Sequence, residues 1–137
     1  MLFGNLALLT GVEPRQMVEW MWESFVDGAE WVMLPNVIGM ALHADGGRMA
    51  TKPYAAGGAY IDRMSDYCKG CAFDRKQRVG DRACPFTTLY WSFLHEHRAT
   101  LVRNPRVAQQ VRAAERLADI EAVTQRAAEV LRALDAG

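Results

Sequence analysis

The sequence predicts an all-α protein with long loops, and three observations carry that prediction. Apolar residues recur in steps of three and four through most of the chain, prolines and glycines fall where helices start and stop, and the segments between are long and glycine-rich. Leu2 to Thr10 reads as the back half of a helix stopped by Gly11. A new helix begins after Val12-Glu13, with Pro14 in its first turn, and it carries Met17, Trp20, Met21, Ser24 and Phe25 on one side. Trp20 and Trp22 point to different sides of that helix, so one can be buried while the other meets a neighbour or solvent.

Ala29 to Leu42 is almost continuously apolar and is interrupted by Pro35-Asn36. The expectation is a short helix, a break, and a second helix capped by Asn36. A segment apolar on nearly all sides belongs inside something larger than three small helices can cover. Asp45-Gly46-Gly47 and Thr51 to Gly58 form a long loop, of the kind that tends to carry function. Ala59 to Tyr67 is expected as a short helix delivering Cys68. Cys84-Pro85 opens a helix running to about Leu101, where a thiolate gains from the positive end of the helix dipole. Asn104-Pro105 starts another helix, with Val107, Val111 and Leu117 inward. Asp119 is placed to cap the last one, whose inward side is Ile120, Val123, Ala127, Val130 and Leu134.

At 137 residues the chain is read as one domain, 1–137, large enough for a core of its own. Its 50% hydrophobic and 23% charged residues exclude a disordered or fibrous class. No apolar run is long enough to span a bilayer. Leu2 to Leu9 lacks the preceding basic residues of a signal peptide, so a cytoplasmic protein with no membrane partner is expected. The formal net charge is zero but unevenly spread. Residues 1–50 carry two basic side chains against six acidic, and residues 51–106 carry ten against five. The positive charge gathers around the cysteines, as a polyanion-binding surface or simply as a solvated face.

All three cysteines lie in one stretch: Cys68 and Cys71 as C-x2-C, then Cys84 before Pro85. Thiolates two residues apart can reach one metal centre, and a third from the start of a helix can help close it. Zinc would need a fourth ligand, which His95 or His97 could supply as a Cys3His site. An iron–sulfur cluster would need a fourth ligand that is normally cysteine. Trp20, Trp22, Trp31 and Trp91 read as core or interface residues. There is no Gly-x-Gly-x-x-Gly or Walker loop, and Ser24, Ser65 and Ser92 have no nucleophile elbow.

Several motifs then occur in one family's order and spacing: Asn36-Val37-Ile38-Gly39-Met40, Ala50-Thr51-Lys52-Pro53-Tyr54, Tyr60 through Cys71, Ala83-Cys84-Pro85-Phe86, and Leu89-Tyr90-Trp91. Over nearly its whole length the chain resembles the iron–sulfur bacterial cryptochromes and photolyases. The resemblance implies the C-terminal part of the helical FAD-binding domain, the antenna domain and the upstream half of the FAD domain being absent. It implies FAD and a 4Fe-4S cluster in the complete protein, with Cys68, Cys71 and Cys84 as the last three cluster ligands and the first ligand upstream of Met1. It makes Trp20 the tryptophan nearest the flavin in the photoreduction chain and sets Asn36 and Met40 along the flavin ring. Met33 is expected there too, where some members have an acid, and Lys52 and Tyr54 lie toward DNA. The implied activity is light-dependent DNA repair, of the (6-4) photoproduct type, or blue-light signalling. The 137 residues are expected to need the missing N-terminal part, because most of the flavin's walls are outside the matched region. A small structural zinc module is the competing expectation.

Overall fold

The computed structural model describes residues 2–136, and every regular element among them is helical, as the all-α expectation required. The chain divides into two compact units, Met1–Ala55 and Ala56–Gly137.

The first unit contains α1 (Leu2–Thr10), α2 (Pro14–Ser24), α3 (Glu30–Leu34) and a π-helix (Pro35–Ala41). Gly11 ends α1 with φ +72°, a left-handed turn that glycine adopts without strain. Glu13 caps α2, its carboxylate accepting from the Gln16 amide at 3.0 Å, so the acidic residue before Pro14 completes the start signal. Ala7, Met17, Val18, Val37 and Leu42 form the core, with Leu8, Met21, Met33 and Ile38 packed against it.

Pro35-Asn36 does not break the helix, and Asn36 does not cap a new one. The chain passes directly from α3 into the π-helix, and the Asn36 side-chain amide donates to the Val32 carbonyl at 2.8 Å. Pro35 has no N–H and its ring crowds the carbonyl four residues back. Widening the turn by one residue relieves that conflict while keeping the chain helical, as in the Leu42 amide donating to Val37 at 2.8 Å, five residues back. Gly4 allows α1 to lie against the end of this segment, since a Cβ there would meet the Ala41 Cβ at 2.8 Å.

The second unit contains α4 (Gly58–Met64), a 3-10 turn (Tyr67–Gly70), α5 (Pro85–Glu96), α6 (Arg98–Leu101), α7 (Ala108–Glu115) and α8 (Ile120–Asp135). The core lies where α5 packs on α7 and α8. Thr88, Leu94, Val111, Ala114 and Val123 are all essentially sealed from solvent. The helix expected to run from Pro85 to Leu101 ends at Glu96, and α6 restarts after His97. At Asn104 the side chain accepts from the Arg106 amide at 3.0 Å, forming a turn, and α7 begins three residues after Pro105. Asp119 occupies the position before α8 but makes no cap. Its carboxylate instead receives the Arg78 guanidinium at 3.2–3.3 Å.

Candidate metal centre and the residues expected around a flavin

The three cysteines are delivered by two pieces of backbone in the second unit. Cys68 sits in the 3-10 turn after α4, Cys71 ends that turn in extended conformation, and Cys84 is the residue before α5. Cys71 is exposed and Cys68 half-buried, whereas Cys84 is only 8% exposed. Its sulfur faces the first residue of α4: a Cβ on Gly58 would lie 2.7 Å from Cys84 Sγ. The thiols share one electrostatic neighbourhood. Burial, then the Asp62 carboxylate, then Cys84 and Cys71 push the Cys68 thiol up from its ordinary value, with Arg75 acting the other way. Among the described residues, however, no three His, Cys, Asp or Glu side chains stand close enough to hold a metal. The donor set is right in kind for a thiolate-bound metal, and the three sulfurs are neighbours that have not converged.

His95 and His97 do not complete the set. Both lie at the far end of α5, where helical rise puts them about 16 Å or more from Cys84. His97 packs its ring on Phe93 with centroids 4.7 Å apart. The Cys3His zinc arrangement is therefore not favoured.

The basic stretch between Cys71 and Cys84 is a built loop. Asp74 forms an isolated bridge with Ala83, its amide donating to Arg82 at 2.7 Å and its carbonyl accepting from Cys84 at 3.2 Å. The Thr87 hydroxyl donates to the Arg75 carbonyl at 2.8 Å and accepts from the Gly58 amide at 3.0 Å. The Thr88 hydroxyl donates to the Arg78 carbonyl at 2.7 Å. Arg75 also pairs with Asp62 at 2.9 Å, as Arg78 does with Asp119. Two of the arginines that made this stretch look like a polyanion surface are thus engaged within the fold. Sequence reasoning missed Thr87 and Thr88, because nothing in a Thr-Thr pair after Cys-Pro distinguishes a latch from ordinary helix residues.

The residues expected at a flavin all belong to the first unit. Trp20 is 41% exposed and held edge-on by Phe3 (centroids 5.2 Å) and Phe25 (5.9 Å). Asn36 and Met40 are exposed, four residues apart on the π-helix, and the Asn36 carboxamide oxygen accepts no hydrogen bond among the described residues. Met33 differs from them, being packed on the core. Lys52 is half-buried and Tyr54 exposed in the long loop before α4. Trp22 and Trp31 are exposed and Trp91 only half-buried, so none of the four tryptophans is a core residue. Among the described residues, no helix is long and apolar enough to cross a membrane.

No family model matches the chain. It is 56% identical over 109 residues to a (6-4) photolyase of Agrobacterium fabrum, a match covering 80% of this chain. The chain spans only 22% of that relative's length. It is also 31% identical over 97 residues to an uncharacterized protein of Acanthamoeba polyphaga mimivirus, covering 71% of this chain and 72% of that one.

Proposed function

The chain belongs to the photolyase-type proteins, and from that premise we propose that it is the cluster-bearing part of a light-dependent DNA-repair flavoprotein of the cytoplasm. The lesion we assign is the (6-4) photoproduct, following the name of the Agrobacterium relative. The observation that carries this reading is that all three thiols share one electrostatic neighbourhood, Cys68 and Cys71 on the turn after α4 and Cys84 immediately before Pro85 at the start of α5.

In this reading Cys68, Cys71 and Cys84 hold a 4Fe-4S cluster, and the fourth ligand comes from outside these residues. Asn36, Met40 and Trp20 form one wall for FAD. Asn36 offers its carboxamide oxygen, Met40 a polarisable apolar contact, and Trp20 an aromatic ring accessible enough to pass an electron toward the flavin. Met33 supports this wall from the core side. FAD, when bound, supplies the light-driven electron for the lesion. Lys52 and Tyr54 face DNA, Lys52 toward phosphate and Tyr54 as a stacking surface for a base taken out of the duplex. Because Arg75 and Arg78 are spent on Asp62 and Asp119, DNA contact from the basic loop falls to Lys76 and Arg82, with Lys69 on the turn before it, none of which pairs with a carboxylate among the described residues.

The test is anaerobic purification of the chain, with iron, sulfide and zinc measured beside the visible spectrum. Iron and sulfide in comparable amounts with broad sulfur-to-iron absorbance are expected. Zinc at one per chain without that absorbance would sink the reading. Supplying the rest of a related photolyase should then restore FAD binding and light-dependent loss of (6-4) lesions. Flavin binding without repair would point to signalling instead.

A further inference from the structure

The loop that carries Cys84 is tied down on every side, and the turn that carries Cys68 and Cys71 is not. On the Cys84 side, one hydroxyl joins three segments. Thr87 Oγ1 takes the amide of Gly58 at the start of α4 and gives its proton to the carbonyl of Arg75 in the loop, while Thr87 itself belongs to the first turn of α5. Thr87 is buried, so neither bond is shared with bulk water. The Arg75–Asp62 and Arg78–Asp119 pairs and the Asp74–Ala83 bridge hold the same loop from outside. Gly58 leaves the space that the sulfur of Cys84 faces, because a Cβ there would stand 2.7 Å from Sγ and 3.0 Å from Thr87 Oγ1. On the other side, the 3-10 turn is held by short-range bonds, Lys69 to Asp66 at 3.1 Å and Cys71 to Cys68 at 3.4 Å, with both cysteines reaching solvent.

We propose that Thr87 and Gly58 are positioning residues for Cys84: they set its sulfur before any metal arrives, so that loading consists of the Cys68–Cys71 turn closing onto a thiol already in place. This rests on the cluster assignment above and adds an order of events to it. Thr87 acts on the cluster through Cys84 and touches no metal itself.

The experiment uses the whole chain, metal-free and then given ferrous iron and sulfide under reducing, anaerobic conditions. Amide exchange and the rate at which a neutral reagent alkylates each cysteine are followed. In the metal-free protein the amides of Gly58, Asp74, Cys84 and Thr88 should be protected and those of residues 66–72 should not. Cys84 should alkylate more slowly than Cys71. On loading, only residues 66–72 should gain protection. Thr87→Val, which keeps the shape and removes the hydroxyl, should speed Cys84 alkylation and slow iron uptake by roughly tenfold, the cost of leaving a buried amide and carbonyl unpaired. Thr87→Ser should restore both. Gly58→Ala keeps the hydroxyl but crowds the sulfur, so it should slow iron uptake while leaving residues 74–82 protected. Equal protection of 66–72 and 74–88 before iron is added, or Thr87→Val matching wild type in alkylation and uptake, overturns the proposal. Wild type that takes up no iron and sulfide overturns the cluster assignment instead, a failure visible before any variant is compared.

Discussion

The two units of this chain meet water in opposite ways. In the second, hydrogen bonds and ion pairs reach far along the sequence, from Thr87 to Gly58, Thr88 to Arg78, Arg75 to Asp62 and Arg78 to Asp119, and the helices close over a dry core. In the first, Thr10, Gln16, Asn36 and the residues around Asp45 make bonds within four positions. A small core there leaves Phe3, Trp20, Trp22, Phe25, Val26, Trp31 and Met40 largely outside. Apolar exposure on that scale marks a surface built to be covered. The second unit therefore has the bonds to stand on its own fold, while the first reads as a wall, in keeping with a chain that spans about a fifth of its Agrobacterium relative.

The sharpest way to break that contrast is to cut one apolar residue from each unit. Leu94, 2% exposed, should cost about 2–5 kcal/mol when changed to alanine. Trp31, 81% exposed, should change stability by no more than about 0.5 kcal/mol on the same substitution and should reduce self-association. Denaturant unfolding and sedimentation read both, and equal losses would mean that the first unit's face is already covered.

A smaller effect is expected inside the first unit. Gly39→Ala puts a Cβ 2.7 Å from Met49 Cβ and 2.9 Å from an Asp45 carboxylate oxygen, so the loop after the π-helix must shift, at about 1–3 kcal/mol in unfolding free energy. In the second unit, a double-mutant cycle on Arg78→Ala and Asp119→Ala should give a coupling below about 1 kcal/mol, as befits a partly solvated pair. A coupling of several kcal/mol would mean that this pair, and not the threonines, dominates the loop.

The gentlest probe is acid. Burial would raise the Asp45 carboxyl, but backbone amides of Met49, Gly47, Arg48 and Asp45 itself outweigh it and hold the group below its ordinary value of 3.8. A folded value below the unfolded one means that the carboxylate steadies its turn above about pH 4 and stops doing so as pH falls through the folded value. Amide exchange at residues 47–49 should accelerate in that window, and Asp45→Asn should flatten the response. Exchange in the Thr87 loop should not change with it.

Much of this was legible in the residues because the signals were local. Gly11 and Pro14 marked their helix boundaries, Cys84-Pro85 marked the start of α5, and Val111 and Val123 showed their inward faces by spacing alone. Asp119 and Asn36 misled for the opposite reason. Each has the side chain of a cap, but Arg78, 41 residues away, claims the first, and the carbonyl of Val32 takes the second. The tryptophans, read as core or interface residues, lie outside the core, because helical spacing says which residues share a face and nothing about whether another surface lies against it. The cysteines were plain as a group. What spacing could not show is that the loop before Cys84 is latched by Thr87, whose two partners lie 29 and 12 residues from it.

The π-helix also sets a phase for the chain around it. A helix accommodates such a turn by containing one residue more than its hydrogen-bond pattern has room for, so Pro35–Ala41 works as a one-tooth offset between α3 and the residues after Ala41. Everything beyond it is rotated by about 100° relative to an unbroken α-helix of the same sequence. Deleting a single residue here would be expected to straighten the helix and turn the residues after Ala41 by about 100° relative to α3, changing which side chains face the core without changing the chemistry of any of them.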